Sequence, residues 1–252
     1  MLNIVIPMAG RGSRFSQAGY SIPKPFLPIH GVPMAEVVVR NLRPLSPHRF
    51  ILIYQESQKE LGTEIATTIR TIGSEVVNVA ISKTTEGAAC TVLEASEVIN
   101  TDEPLMIANS DQWVDCSINE YIATMDRSSL DGLIMTMEAS DPKWSFCDLS
   151  ASNLVTRVVE KEVISNIATV GIYNFRRGHE FVSAARQMIE RDLRVNGEFY
   201  VAPTYNQLIE NGARIGIFNV GSERDGMYGL GIPDDYEWFL TQEVSQKASR
   251  RM

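Results

Sequence analysis

Along the first half of the chain, short apolar runs alternate with longer stretches in which apolar residues recur at helical spacing. Residues 3–7 (NIVIP), 50–54 (FILIY), 76–81 (VVNVAI) and 105–108 (LMIA) have the length and β-branched content of buried strands. Between them, residues 34–42 offer an apolar stripe through Val37, Val38 and Val39, and residues 57–72 read as an amphipathic helix capped by Ser57. Residues 87–99 read as a further helix. Strands and helices alternating through short loops predict an α/β fold, with a mostly parallel central sheet flanked by helices, Rossmann-like in outline. Ligands of such sheets sit beyond the carboxyl ends of the strands. The glycine loop after the first strand and Asp111 after the fourth are therefore expected to share one rim.

Beyond Asp115 the pattern is mixed. Residues 132–137, 168–175 and 215–220 look like strands, and 180–191 and 205–211 like helices. A terminal helix is expected over 234–245, with Pro233 at its start. No Pro/Gly/Ser-rich linker and no internal repeat divides the chain. The expectation is one domain over residues 1–252, with a first lobe over 1–115 and a mixed second lobe over 116–252. The final SQKASRRM reads as a solvated tail.

Composition narrows the function. The net charge of −8 argues against broad electrostatic binding to nucleic acid or to anionic membranes. The three cysteines, Cys90, Cys116 and Cys147, form no CxxC pair, so neither a disulfide framework nor a zinc cluster is expected, and a reducing cytoplasm fits. No apolar run approaches the roughly 18 residues of a membrane span. The apolar start, residues 2–9, is read as a buried strand and not as a signal peptide.

Against that acidic background, residues 1–35 carry Arg11, Arg14 and Lys24 and no Asp or Glu. Gly10 and Gly12 let a ligand approach the main chain, and successive N–H groups in such a loop form a concave anion site. Arg14 adds a forked guanidinium, and Lys24 a point charge on backbone stiffened by Pro23 and Pro25. A cation and a phosphate oxygen ~4 Å apart attract by roughly 4 kcal/mol at an effective dielectric of ~20. Three such charges without nearby acids suit a triphosphate better than a plain βα turn with surface arginines. The loop lacks the third glycine of a dinucleotide fingerprint and the Gly-Lys-Ser/Thr of a Walker loop.

The run MAGRGSRF…PKPFLPI resembles the signature of the nucleotidyltransferases that make nucleotide sugars, enzymes that join a nucleoside triphosphate to a sugar phosphate and release pyrophosphate. The resemblance implies a GT-A-like nucleotidyltransferase fold, with Ala9, Gly10, Arg11, Gly12, Ser13, Arg14 and Lys24 around the triphosphate. It implies Asp111 as the Mg2+ ligand, and Arg14, Lys24, Asp111 and Lys161 as the catalytic set. Thr85-Glu86-Gly87 resembles the family's nucleobase segment, which places Glu86 and Gly87 at the base without identifying it. Glu160-Lys161 and the following NIATVGIY resemble the acceptor segment, with Asn166 near the sugar, and Gly197-Glu198 resembles a further acceptor segment. Trp144 and Phe146 fall where the family shapes its acceptor pocket, and core packing is an equal alternative for each.

One departure stands out. Before a Gly-Thr-Pro-like turn the family carries a second metal acid, and this chain has Gly229 before Gly231-Ile232-Pro233. Asp225, Asp234 or water remain open as replacements. Two rivals also remain. A nucleotide-sugar-dependent glycosyltransferase would typically show Asp-x-Asp, whereas this chain reads Asp111-Gln112-Trp113; a non-catalytic nucleotide sensor would tolerate the missing acid. The acceptor could also be a non-sugar phosphate or phosphonate, as in cytidylyltransferases of this architecture. The partners expected are a nucleoside triphosphate and a phosphorylated small molecule, with a homo-oligomer left open.

Overall fold

The computed structural model describes residues 1–10 and 12–250. The chain runs as β1 (Leu2–Pro7), α1 (Ser13–Gln17), a small hairpin of β2 (Pro28–Ile29) and β3 (Val32–Pro33), α2 (Met34–Leu42), β4 (His48–Gln55) and α3 (Lys59–Thr71). It continues as β5 (Glu75–Ile81), α4 (Ala88–Leu93), α5 (Ser96–Ile99), β6 (Leu105–Ala108), β7 (Gln112–Val114), α6 (Ile118–Arg127) and β8 (Gly132–Glu138). Then come β9 (Ser145–Leu149), β10 (Val155–Glu160), β11 (Ile167–Phe175), α7 (Gly178–Glu190) and α8 (Thr204–Glu210). The chain closes with β12 (Ile215–Glu223), β13 (Gly226–Gly229), α9 (Pro233–Leu240) and α10 (Glu243–Ser249).

Side-chain alternation decides how the sheet is covered. In β1, Ile4 and Ile6 enter one apolar layer and Val5 the other; in β4, Phe50, Leu52 and Tyr54 oppose Ile51 and Ile53. Both faces are buried, as parallel strands under helices must be, and each fully buried Ile or Leu contributes about 1.5–3 kcal/mol. α2, α3 and α6 close the first layer, and α4, α5, α7 and α8 the second.

The main sheet follows the order β5-β4-β1-β6-β11-β8-β12-β13-β7, with β9 and β10 attached beside β11. β5, β4, β1 and β6 are parallel neighbours. β11 runs antiparallel between β6 and β8, so β8 points the same way as β6, and β12 lies parallel to β8. The fold is thus α/β with a mostly parallel central sheet. No helix of the described residues is long and apolar enough to cross a membrane.

Several boundaries differ from the sequence reading. The helix expected over 87–99 is two: α4 ends in tight turns, with Glu94 N donating to Thr91 O at 3.2 Å and Ala95 N to Val92 O at 3.0 Å, and Ser96 starts α5. Ser57 is not a helix cap; it lies inside a 3-10 turn, Glu56–Gln58, and α3 begins at Lys59. The terminal helix breaks at Thr241 and Gln242. The SQKASRRM segment is no solvated tail in its described part, because Ser245, Ala248 and Ser249 are buried as α10 packs on α2. Small residues allow that approach, and their hydroxyls find partners: Ser245 Oγ meets His30 Nε2 at 2.7 Å, and Ser249 Oγ donates to Ser245 O at 2.9 Å.

Candidate active site

Adjacent parallel strands bring the two sequence signals together. β1 and β6 are neighbours in register, so the loops that leave their carboxyl ends meet above the same edge. The loop after β1 is tied down where Gln55 Nε2 donates to Ala9 O at 2.8 Å, and Gly12 adopts the left-handed conformation (φ 58°) that leads into α1. Pro23 and a buried Pro25 bracket Lys24, which starts a single 3-10 turn, Lys24–Phe26. Phe15, Leu27 and Met34 anchor this region against Tyr236 and Phe239 of α9. Lys24 Nζ thereby reaches Asp111 Oδ2 at 2.6 Å, across 87 positions of sequence.

Asp111 is held from its backbone. Asn109 N donates to Gly171 O at 2.9 Å, Gln112 Nε2 to Asn109 O at 3.1 Å, and Leu230 N to Asp111 O at 2.8 Å. Gly171 has φ 81° within an irregular stretch of the β11–β8 pairing, and a side chain there would strike Asn109 at 2.3 Å. Gly231 sits against the carboxylate itself, since a Cβ on it would lie 2.9 Å from Asp111 Oδ2.

The cleft above these residues encloses about 510 Å³. Gly12, Ser13, Arg14, Lys24 and Asp111 line one side; Lys143, Trp144, Glu160, Lys161 and Tyr200 line the other. On that far side, β9 and β10 pair so that Ser145 lies opposite Glu160, and Ser145 Oγ donates to Glu160 Oε2. Burial pushes the Glu160 carboxyl above its ordinary range, with the Ser145 hydrogen bond and Lys161 opposing. Lys161 takes a left-handed backbone (φ 58°) as its N–H donates to Trp144 O at 2.9 Å. Its Nζ donates to Tyr200 Oη and lies 4.5 Å from the centre of that ring. Burial, and after it the Glu198 carboxylate, push the Tyr200 phenol up.

Not every expected residue faces the cleft. Arg11 lies outside the described residues. Ala9 is buried and Gly10 exposed, both outside the lining. Glu86 pairs with Arg194 at 2.5 Å. Gly87 packs on the chain at Phe199, where a Cβ would meet a carbonyl oxygen at 2.4 Å, and Ala88 is the residue of that segment in the lining. Asn166 and Glu198 are exposed outside the lining, and Phe146 is core, whereas Trp144 lines the cleft.

Sequence reasoning missed Lys143 and Asp235. Lys143 extends over Trp144 and bonds Glu223 at 2.6 Å. Asp235, not Asp225 or Asp234, lines the cleft: its Oδ2 lies 4.0 Å from where a Gly229 Cβ would stand, and Arg224 pairs with Oδ1 at 2.9 Å. Asp235 sits in the first turn of α9, two residues past Pro233, and that turn folds back over Gly229.

The fold is similar to that of sugar-nucleotide pyrophosphorylases of known structure. The nucleoside-diphosphate-sugar pyrophosphorylase of Vibrio cholerae RC9 is 27% identical and superposes with a TM-score of 0.79, over 95% of this chain and all (100%) of that one. A UDP-glucose pyrophosphorylase from Acinetobacter baumanii shares the fold at 18% identity, with a TM-score of 0.73 over 98% of this chain and 96% of that one. Residues 4–202 match the nucleotidyl transferase family, and the chain belongs to it. Among curated relatives, the bifunctional protein GlmU of Cupriavidus metallidurans is 24% identical over 85% of this chain and 46% of its own length. The chain thus spans about half the length of that relative.

Proposed function

We propose that the protein transfers a nucleotidyl group from a nucleoside triphosphate to a sugar 1-phosphate, releasing pyrophosphate, with Mg2+ as its cofactor. The observation that carries this reading is the contact of Lys24 and Asp111 at 2.6 Å in a cleft that also holds Arg14, Lys143 and Lys161. Four cations beside three carboxylates, Asp111, Glu160 and Asp235, suit a ligand with several phosphoryl groups and a metal. The likeness to a pyrophosphorylase that acts on nucleoside-diphosphate sugars supports the acceptor class.

An oxygen of the acceptor phosphate attacks the α-phosphorus; that P–O bond forms as the bond to the bridging oxygen of the β-phosphate breaks. The nucleophile is already an anion, so no side chain has to be activated. The chain's work is to bring anions together and hold them in line. Arg14 and Lys24 take the triphosphate and the departing pyrophosphate, while Lys161 and Lys143 take the acceptor phosphate. Glu160, fixed by Ser145, accepts from acceptor hydroxyls.

The donor set fits a hard cation. The side chains of Asp111 and Asp235 are 22% and 17% exposed, both line the cleft, and Mg2+ favours carboxylate oxygens completed by water. Asp111 would hold it, with Asp235 standing in for the acid absent at Gly229. When bound, Mg2+ supplies charge neutralisation on the phosphoryl oxygens. A triphosphate in the cleft would draw Lys24 from Asp111 to its own oxygens.

The test is a matrix of the common nucleoside triphosphates against sugar 1-phosphates, with phosphocholine and a phosphonate included, reading pyrophosphate. One triphosphate–sugar phosphate pair is expected to dominate. A signal confined to the non-sugar acceptors would replace the acceptor class, and none from any pair would end the reading.

A further inference from the structure

α7 and α8 form an antiparallel hairpin whose tip reaches the active cleft. The tip, residues 191–203, carries Tyr200, Val201 and Ala202 into the lining, and its Phe199 N donates to Glu86 O at 2.8 Å. The open end lies at the opposite rim of the sheet, beside Asp131 at the start of β8. The 13 residues of α7 put about 20 Å between the two ends.

A second cleft of about 410 Å³ occupies that open end, lined by Asp131, His179, Glu180 and Ala184 on one side and by Gln207 and Leu208 on the other. Gln207 is only 2% exposed, yet its Oε1 has no hydrogen-bond partner. Glu180 Oε1 accepts from Arg177 Nε at 3.0 Å, while its buried Oε2 has none. Both unmet groups are acceptors. The lining holds two carboxylates and no Lys or Arg, and its one imidazole, His179, faces Asp102 at 3.1 Å. Buried polar atoms are nearly always paired, and two orphan acceptors sit on side chains that line one acidic, partly apolar cleft, where donors and positive charge would satisfy them.

We propose that this cleft is an effector site for a small aliphatic cation with N–H donors, an alkylammonium or alkylguanidinium. The route to the active cleft is short. Asn206 of α8 clamps Val158 of β10 through two 2.8 Å bonds, its Oδ1 accepting from Val158 N and its Nδ2 donating to Val158 O. β10 ends at Glu160, next to Lys161. An occupant between α7 and α8 therefore acts on the acceptor wall, through Tyr200 at the hairpin tip and through Glu160 and Lys161. Lys24 and Asp111, on the β1 and β6 side, are outside this path. The effect on acceptor use rests on the transferase reading; binding does not.

The test is a calorimetric titration of the full chain with n-butylguanidinium and n-butylammonium, with n-butyltrimethylammonium as the probe lacking N–H donors. Saturable binding of the first two is expected. The third probe, and the variants Gln207→Leu and Glu180→Gln, should each weaken binding about tenfold or more, the loss of a charge-assisted hydrogen bond. Glu180 is partly exposed, so its variant keeps the test open should Gln207→Leu fail to fold. Hydrogen exchange of residues 158–161 and 199–202 should slow on binding. No saturable binding, or equal binding of the trimethylated probe, or binding untouched in folded Glu180→Gln, overturns the site. Binding with unchanged exchange at those residues overturns its effector role.

Discussion

The two walls of the active cleft hold their cations differently. Lys24 is about one-fifth exposed, bracketed by prolines and paired with a carboxylate at 2.6 Å. Lys161 is exposed, on a left-handed backbone, and its ammonium rests on the Tyr200 hydroxyl and ring. The first charge is placed in advance, but a ligand must take it from Asp111. The second is offered freely and is positioned by a ring that itself sits on the α7–α8 hairpin. On the reading proposed above, triphosphate and metal fall to the first wall, the rigid one, and the acceptor to the second, the adaptable one.

Replacing Lys24 by Ala should have the largest effect. Turnover is expected to fall by about 100-fold or more, as for loss of a group aimed at developing charge, with an unchanged circular dichroism spectrum. Lys161→Ala sharpens the contrast: the acceptor KM should rise by about tenfold while the triphosphate KM stays put, the loss of one charged contact. Equal shifts in both constants would erase the distinction between the walls. Asp235→Asn should raise the Mg2+ concentration for half-maximal rate by several-fold, roughly the weight of one carboxylate in a site largely completed by water. An unchanged magnesium dependence would remove Asp235 from the metal.

The smallest expected effect is on stability. Burial holds the folded Glu160 carboxyl above its unfolded value of 4.5, so the folded state keeps its proton longer than the unfolded state does. Stability from this group is therefore full below pH 4.5 and is lost as pH rises through the folded value. Glu160→Gln should melt increasingly above the wild type as pH climbs from 4.5 toward neutrality. A melting difference that is flat with pH would show that the carboxyl is not held up.

The same contrast explains what the sequence could reveal. The rigid wall draws on one contiguous run and one strand-end Asp, so its glycines, prolines and missing acids are visible in the sequence, although the β1–β6 pairing that joins them spans about 100 residues. The adaptable wall depends on Lys143 crossing 80 positions to Glu223 and on β11 holding β9 beside it, contacts that no local pattern encodes. Some local signals went unread. Ser117 and Glu120 have capping-box spacing at the start of α6, where Ser117 Oγ accepts from Glu120 N at 3.3 Å. The burial of α10 was illegible because its small polar residues look like a tail until α2 covers them.

The central claim of the proposed mechanism is that Asp111 holds Lys24 until a triphosphate draws it away. It is tested most directly in Asp111→Asn, with metal-free triphosphate binding by calorimetry and Mg2+-supported pyrophosphate release measured on one preparation. The account predicts metal-free binding at least as tight as in the wild type, because Lys24 is set free, with turnover down by about 100-fold. A folded Asp111→Asn protein that turns over at near the wild-type rate would contradict it.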